Sequence, residues 1–249
     1  MDLKLSGQAA IVTGGSLGIG SAVAVALARE GVDVAVNYRR HDKEAKEVVA
    51  QIESLGQRGL AVQADVASHA DAQAMVAQVR ETFGRLDILI CNAGITWDGV
   101  IWKMTEQQWD QVISVNLKGY FNYNKAAALV FKDQKHGKIV NISSINGMRG
   151  KFGQSNYAAS KGGDIALTKT LARELGKFNV NVNVVAPGLV LTEMMETLPA
   201  EFTRKAMDET VVGRFATPDD VADLVVFLCS DRSRHITGEL IKIDGGQYI

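Results

Sequence analysis

The reading of the fold turns on Ala9-Ala10-Ile11-Val12-Thr13-Gly14-Gly15-Ser16-Leu17-Gly18-Ile19-Gly20. A short apolar run gives way to glycines at 14, 15, 18 and 20, and a helical pattern over 18–30 follows directly. Glycines between a strand end and a helix N-terminus let a pyrophosphate reach backbone N–H groups at the positive end of the helix dipole. The spacing is G-x-x-x-G-x-G rather than G-x-G-x-x-G. A tight βα turn that holds no ligand has the same composition. Gly14-Gly15-Ser16-Leu17-Gly18 also matches the G-x-S-x-G nucleophile elbow of hydrolases. That elbow normally follows several strands, and here it follows the first, which argues against a hydrolase.

On either side of this stretch, short apolar runs alternate with longer helical patterns. Strands are predicted at Ala9–Thr13, Val32–Tyr38, Leu60–Asp65, Leu86–Asn92, Lys138–Ser143, Val180–Ala186 and Leu240–Ile243. Several are almost continuous in Val, Ile, Leu and Ala, as parallel strands buried on both faces are. Helices are predicted over 18–30, 41–55, 68–83, 105–131, 155–177 and 217–230. Thr217-Pro218-Asp219-Asp220 is a strong helix start, with a capping threonine, proline at the first position and acids in the first turn. The unbroken alternation predicts one α/β domain over 1–249: a Rossmann-type doubly wound parallel sheet of about seven strands flanked by helices. The least regular segment, about 188–213, is expected to be a substrate loop.

Composition excludes several classes of function. The chain has 249 residues, 47% hydrophobic, with a net charge of −1. It can bury a sizeable core, and its scattered lysines and arginines form no nucleic-acid or membrane-surface footprint. No apolar run reaches the ~18 residues of a membrane span. Met1–Gly7 has no signal-peptide core, and Cys91 and Cys229 lack CxxC spacing, so a cytoplasmic protein with free thiols is expected. His41, His69, His136 and His235 stand far apart, and no metal site is predicted.

Chemistry is concentrated at Tyr157 and Lys161, one helical turn apart on one face. A tyrosine hydroxyl titrates near ~10, too high for efficient proton exchange at neutral pH, and a fixed ammonium beside it favours the phenolate. The pair suits acid–base work on an alcohol or ketone. At the second strand end, Tyr38 occupies the place where an acid would select a ribose 2′-OH. Arg39 and Arg40 follow and could receive a 2′-phosphate, or could be solvated surface cations. Asp65-Val66, ending the third strand, could meet an adenine; Asp65 could instead cap the helix beginning near Ser68.

With the glycine run, Cys91-Asn92-Ala93-Gly94, Asn116, Ser144 and Tyr157/Lys161 in this order, the chain resembles the short-chain dehydrogenase/reductase family along essentially its whole length. Asn141–Gly147 and Phe152–Tyr157 make it most similar to 3-oxoacyl-[acyl-carrier-protein] reductases and acetoacetyl-CoA reductases. The resemblance implies that Gly14, Ser16, Leu17, Gly18, Ile19 and Gly20 cradle the dinucleotide phosphates. It further implies contacts from Tyr38, Arg39, Asp65, Val66, Asn92, Ala93 and Gly94, and a nicotinamide grip from Pro187, Gly188, Val190 and Thr192. Ser144 would bond the substrate carbonyl, Tyr157 would exchange the proton, Lys161 would hold the ribose and tune Tyr157, and Asn116 would hold a relay water. Ser143 would serve the strand end. Two departures stand out: Cys91 replaces the usual asparagine, and Leu17 stands where NADPH users often carry a basic residue.

Trp97, Trp102, Met148, Phe152, Met194, Met195 and Leu198 are candidate pocket residues, suited to an acyl chain or a ring. Lys132, Lys135 and Lys138 are candidates to meet an acidic carrier protein, although Phe178 replaces a basic residue of carrier-dependent relatives. The resemblance also implies a homotetramer built through the helices at 105–131 and 155–177 and the C-terminal segment. The expected activity is NADP(H)-dependent reduction of a 3-oxoacyl thioester, the substrate being CoA- or carrier-protein-linked. The alternatives are an NAD-dependent secondary-alcohol or ketone dehydrogenase acting on an aromatic or cyclic substrate, and a non-catalytic dinucleotide-binding sensor.

Overall fold

Seven strands form one parallel sheet in a computed structural model that describes residues 2–192, 195 and 200–249. They are β1 (Ala9–Val12), β2 (Asp33–Tyr38), β3 (Gly59–Gln63), β4 (Ile88–Cys91), β5 (Gly137–Ile142), β6 (Val180–Pro187) and β7 (Leu240–Ile243), in the order β3-β2-β1-β4-β5-β6-β7. Each run read as a strand is one. Inner strands β1, β4, β5 and β6 are buried at every residue, and the sequences of β1 and β4 are accordingly apolar without alternation, while edge strand β7 is half-buried. Between β1 and β4 the chain order reverses, with Ala10, Ile11 and Val12 paired to Ile88, Leu89 and Ile90. A crevice opens at the C-terminal ends of strands at such a switch point.

Helices cover both faces. On one side lie α1 (Gly18–Arg29), α2 (Asp42–Ser54) and α9 (Pro218–Cys229), packed on Val12, Val34, Val36 and Ile90. On the other lie α3 (His69–Phe83), α5 (Gly119–Gln134) and α7 (Ser155–Leu175), packed on Ile11, Leu89, Ile139 and Val182. Adjacent residues of one strand thus serve opposite cores. Ser68 caps α3 by accepting from the Asp71 N–H at 3.2 Å, and Thr217 and Asp220 form a reciprocal capping box at α9. At the lower end of the sheet, buried Asp87 accepts from the Ala9 N–H and from Arg85, tying the N-terminal ends of β1 and β4 together.

The helix expected over 105–131 is three pieces. These are α4 (Glu106–Ile113), a π-helical turn (Ser114–Lys118) and α5. Asn116 lies in the π turn, and its side chain is pinned across space to the backbone of Ile95, a bond that local periodicity does not encode. The segment at 188–213 is more regular than expected, since it contains α8 (Ala200–Asp208). A one-turn helix, α6 (Asn146–Arg149), follows β5, and α7 gives way to a 3-10 turn over Gly176–Phe178. Among the described residues, no helix is long and apolar enough to cross a membrane, and no group of His, Cys, Asp and Glu could hold a metal ion. Cys91 and Cys229 are free and buried.

Candidate active site

The floor of the crevice is built by Thr13 and Asn92. The Thr13 hydroxyl accepts from the backbone N–H groups of Asn92 at 2.9 Å and Ala93 at 3.1 Å. The Asn92 amide donates to the carbonyls of Thr13 at 3.1 Å and Gly14 at 3.0 Å. From the other side, the Asn37 side chain accepts from the Gly14 N–H at 3.2 Å. Thr13 and Asn37 were not singled out from sequence; their position at strand ends beside the glycine run was the available signal.

The glycines are needed where they stand. Gly14 has φ +59°, and a Cβ there would lie 2.8 Å from the Ala93 Cα. A Cβ on Gly20 would lie 2.2 Å from the Gly14 carbonyl oxygen. Helix α1 starts at Gly18 behind Leu17, with no side-chain cap and no acid in its first turn. Its N–H groups are therefore free to meet an anion, unlike the capped starts of α3, α4 and α9. This cradle fits a dinucleotide pyrophosphate.

Beyond the cradle, Arg39 and Asp65 face each other at 3.6 Å and line a cavity of about 590 Å³ together with Glu106, Asp110, Gln111 and Ser114. Tyr38 is nearly buried, and its hydroxyl donates to Asp42 at 2.6 Å, while Asp42 also holds Lys46 at 2.8 Å. That bond commits the Tyr38 hydroxyl to Asp42, and the exposed Arg39 and Arg40 follow at this strand end. Asp65 accepts from the Ala67 N–H at 3.0 Å, and the cap of α3 is Ser68. The carbonyl of Val66 accepts from Asn122 at 2.9 Å.

Tyr157 lies in the first turn of α7, and Ser144 lies just past the end of β5, so the two elements bring their hydroxyls together at the crevice. Ser144 lies near enough to Tyr157 to act on the ionisation of its hydroxyl. Burial pushes the Tyr157 hydroxyl up to about 12; Ser144 works downward, and the carboxylates of Asp164 and Asp98 work upward. The expectation of a lowered tyrosine is not met, because burial outweighs the other influences on its hydroxyl; Lys161 faces inward. Its ammonium donates to the Ile142 carbonyl at 2.7 Å, the Tyr120 hydroxyl at 3.1 Å and Asp164 at 3.3 Å. Burial holds Lys161 below the usual lysine range, and the neighbouring Asp164 opposes that shift. Asp164 and Tyr120 were not anticipated as site residues.

Asn116 is fully buried; its oxygen accepts from the Ile95 N–H at 2.9 Å, and its amide donates to the Ile95 carbonyl and Ser160. It joins the loop after β4 to α7. Ser143 donates to the Lys161 carbonyl at 2.7 Å, an anchor between strand end and helix. Past β6, Gly188 lies so near Gln247 that a Cβ would come within 2.6 Å of its side-chain oxygen. Val190 bridges to Ala216, and the Thr192 hydroxyl reaches the Val190 carbonyl at 3.5 Å.

The mouth is apolar and open. The loops around Gly99 and Gln154 are joined by the Gly99 N–H donating to the Gly153 carbonyl at 2.8 Å and by Gln154 donating to Asp98 at 2.9 Å. They present Phe152 and Trp102, which are 83% and 73% exposed, and the less exposed Trp97 and Met148. Met195 is half-buried, with its N–H on the Thr192 carbonyl; Met194 and Leu198 lie outside the described residues. Lys132, Lys135 and Lys138 do not reach this mouth. Lys138 is buried at the start of β5, donating to Asn181 at 2.6 Å, and Lys132 and Lys135 lie at the end of α5 beside it. The length of β5, about 3.3 Å per residue, separates them from Ser144.

A family model described as enoyl-(acyl carrier protein) reductase matches residues 14–247. The chain is 43% identical over 242 residues to 3-oxoacyl-[acyl-carrier-protein] reductase FabG of Staphylococcus aureus, covering 97% of this chain and 98% of that one. It is 42% identical over 243 residues to acetoacetyl-CoA reductase of Shinella zoogloeoides, covering 97% and 98%. A crystal structure from Sinorhizobium meliloti 1021 assigned to the short-chain alcohol dehydrogenases superposes with a TM-score of 0.95 at 36% identity, covering 99% of this chain and 98% of that one. The glycine cradle, the Ser144–Tyr157 pair and the buried Lys161 thus sit in a fold and a sequence shared with these proteins: the chain belongs to the short-chain dehydrogenase/reductase family of NAD(P)-dependent oxidoreductases acting on CH–OH and C=O groups.

Proposed function

We propose that the protein reduces 3-oxoacyl thioesters to 3-hydroxyacyl thioesters with NADPH. The observation that carries this reading is the meeting of the Ser144 and Tyr157 hydroxyls beside the glycine cradle. Its substrate class follows the two relatives whose names state one, a 3-oxoacyl-[acyl-carrier-protein] reductase and an acetoacetyl-CoA reductase. Bound in the cradle, the dinucleotide supplies the hydride. The protein does the rest. Ser144 donates a hydrogen bond to the substrate ketone and fixes its orientation. Tyr157 gives its proton to the oxygen as the carbonyl becomes an alcohol. Lys161 is assigned to the nicotinamide ribose, and its ammonium supplies a positive charge at the base of the site. A dinucleotide-binding sensor would have no use for Ser144 paired with Tyr157.

In this reading the open mouth lets the long thioester arm leave the site, and Trp97, Phe152 and Met195 flank the acyl portion. Subunits assemble as a cytoplasmic homotetramer through α4, α5, α7 and the C-terminal segment. Acetoacetyl-CoA should therefore be turned over with NADPH in a matrix of both dinucleotides against acetoacetyl-CoA, an acyl-carrier thioester, aryl ketones and cyclic ketones. Absence of acetoacetyl-CoA turnover beside rapid reduction of an aryl or cyclic ketone would replace this reading with the ketone dehydrogenase one, which the exposed Trp102 and Phe152 also suit.

Cofactor choice rests on Arg39. Tyr38→Asp with Arg39→Ser places an anion near the 2′ position and removes the cation. The ratio of kcat/KM for NADPH over NADH is expected to fall at least about tenfold, equivalent to ~1.4 kcal/mol. Steady-state kinetics with both dinucleotides checks this, and a wild type that already prefers NADH contradicts the role given to Arg39.

A further inference from the structure

Asp164 is a carboxylate with no solvent exposure, on the same face of α7 as Tyr157 and Lys161. Charged groups at that depth are rare unless paired. One of its oxygens, Oδ2, meets the Lys161 ammonium at 3.3 Å. The other, Oδ1, has no hydrogen-bond partner among the described residues. The polar side chains nearby are committed elsewhere: Asn141 donates to Thr168 at 2.9 Å, and Asn124 donates to Asn141 at 3.0 Å. A half-satisfied buried carboxylate is destabilising by itself, and a purely structural site would favour an apolar residue here.

The groups facing Asp164 come from three elements. Lys161 and Tyr157 lie on its own helix, Tyr120 on α5 and Cys91 on β4. Burial raises the Cys91 thiol and the Tyr120 hydroxyl well above their ordinary ranges, so both are neutral at physiological pH. The charge in this pocket therefore belongs to the Asp164–Lys161 pair. Burial raises the Asp164 carboxyl to about 7 and lowers Lys161, and each partner opposes the other's shift.

We propose that Asp164 is a positioning residue for proton transfer: the buried counter-ion that keeps the Lys161 ammonium charged at the base of the active site and so sets the upper pH limit at which Tyr157 can act as proton donor. The proposal rests on the roles given above to Tyr157 and Lys161. Its signs are fixed. Without the carboxylate, Lys161 faces burial with no compensating charge and loses its proton at lower pH. Without the carboxylate, Tyr157 also loses a repelling neighbour and ionises at lower pH. Ketone reduction needs Lys161 charged and Tyr157 protonated, so both effects move the alkaline limb the same way.

Asp164→Asn keeps the shape and a hydrogen-bond acceptor while removing the charge. In this variant the alkaline limb of kcat for acetoacetyl-CoA reduction is expected to move down by about one pH unit or more. A lower kcat at every pH with the limb unmoved is what a structural role produces, and it overturns the proposal. If no ketone is reduced even by the wild type, the functional reading fails and this proposal fails with it; turnover with an unmoved limb removes this proposal alone. A second measurement needs no active variant. Lys161→Met leaves Asp164 buried without its cation, so near ~pH 8.5 its infrared spectrum should gain the C=O stretch of a protonated carboxylic acid. That band should be missing from wild type and from Lys161→Met/Asp164→Asn. Spectra without it in Lys161→Met would show that Lys161 does not hold Asp164 ionised, which sinks the pairing.

Discussion

Tyr157→Phe is expected to lower kcat by ~10²–10⁴-fold, the usual contribution of a general acid–base group, while dinucleotide affinity stays close to wild type. The phenylalanine keeps the ring and its packing at the start of α7 and removes only the hydroxyl that meets Ser144. Its loss removes the proton donor itself, so the defect should appear at every pH and with every ketone. This distinguishes it from loss of Asp164, whose effect is a displaced pH limit. A folded Tyr157→Phe variant with near-normal kcat would mean that the proton comes from elsewhere, with Ser144 the next group to test.

The other large effect is expected at Gly20. A methyl group there would sit 2.2 Å from the Gly14 carbonyl oxygen and 2.5 Å from the Asn92 amide nitrogen. Neither can move aside cheaply. Gly14 is fixed by its N–H bond to Asn37 and by contact with Ala93, and the Asn92 amide is spent on the carbonyls of Thr13 and Gly14. Gly20→Ala should therefore separate the start of α1 from the end of β1, costing about 1–3 kcal/mol as an overpacked contact does. It should also weaken NADP⁺ binding by roughly tenfold or more, about 1.4 kcal/mol, because the same displacement moves the N–H groups that would meet the phosphates. Thermal melting and calorimetric titration check the two halves of this expectation. A variant that melts and binds like wild type would show that the cradle tolerates a side chain.

The strands and the cradle were legible in the sequence because their causes are local. A run such as Ile88–Cys91 is apolar at each position because it is covered on both faces, and glycines between strand and helix mark close backbone approach. Tyr157 and Lys161 were legible as a pair because helical spacing alone puts them on one face. Other features depend on contacts distant in sequence. The π turn within the expected long helix comes from Asn116, a residue that also reads as a helix-kink asparagine, reaching back to Ile95, 21 residues away. Lys138 stands at the start of its strand as expected, but closeness in sequence to Ser144 hides the length of β5, which keeps it and its neighbours Lys132 and Lys135 from the mouth. Tyr38 is expected at the nucleotide as a strand-end residue, and the bond its hydroxyl makes to Asp42, one helical turn further on, is not part of that expectation. Asp164 reads in sequence as an ordinary helix acid. Its partner at i−3 was visible, but its burial was not, and burial is what gives the pair its chemistry.

Helix α1 begins with neither a capping side chain nor an acid, although α3, α4 and α9 all begin with well-made caps. The first helix of the sheet is thus left electrostatically unfinished by its own sequence. An anion that settles there completes the helix as a serine or aspartate would, so ligand occupancy and folded-state stability are thermodynamically linked. The population of intact protein then rises with the concentration of free dinucleotide. The cost of leaving α1 open falls most heavily on molecules that have yet to meet their nucleotide, and the cell's nucleotide pool acts on the enzyme as a stabilising cosolute would.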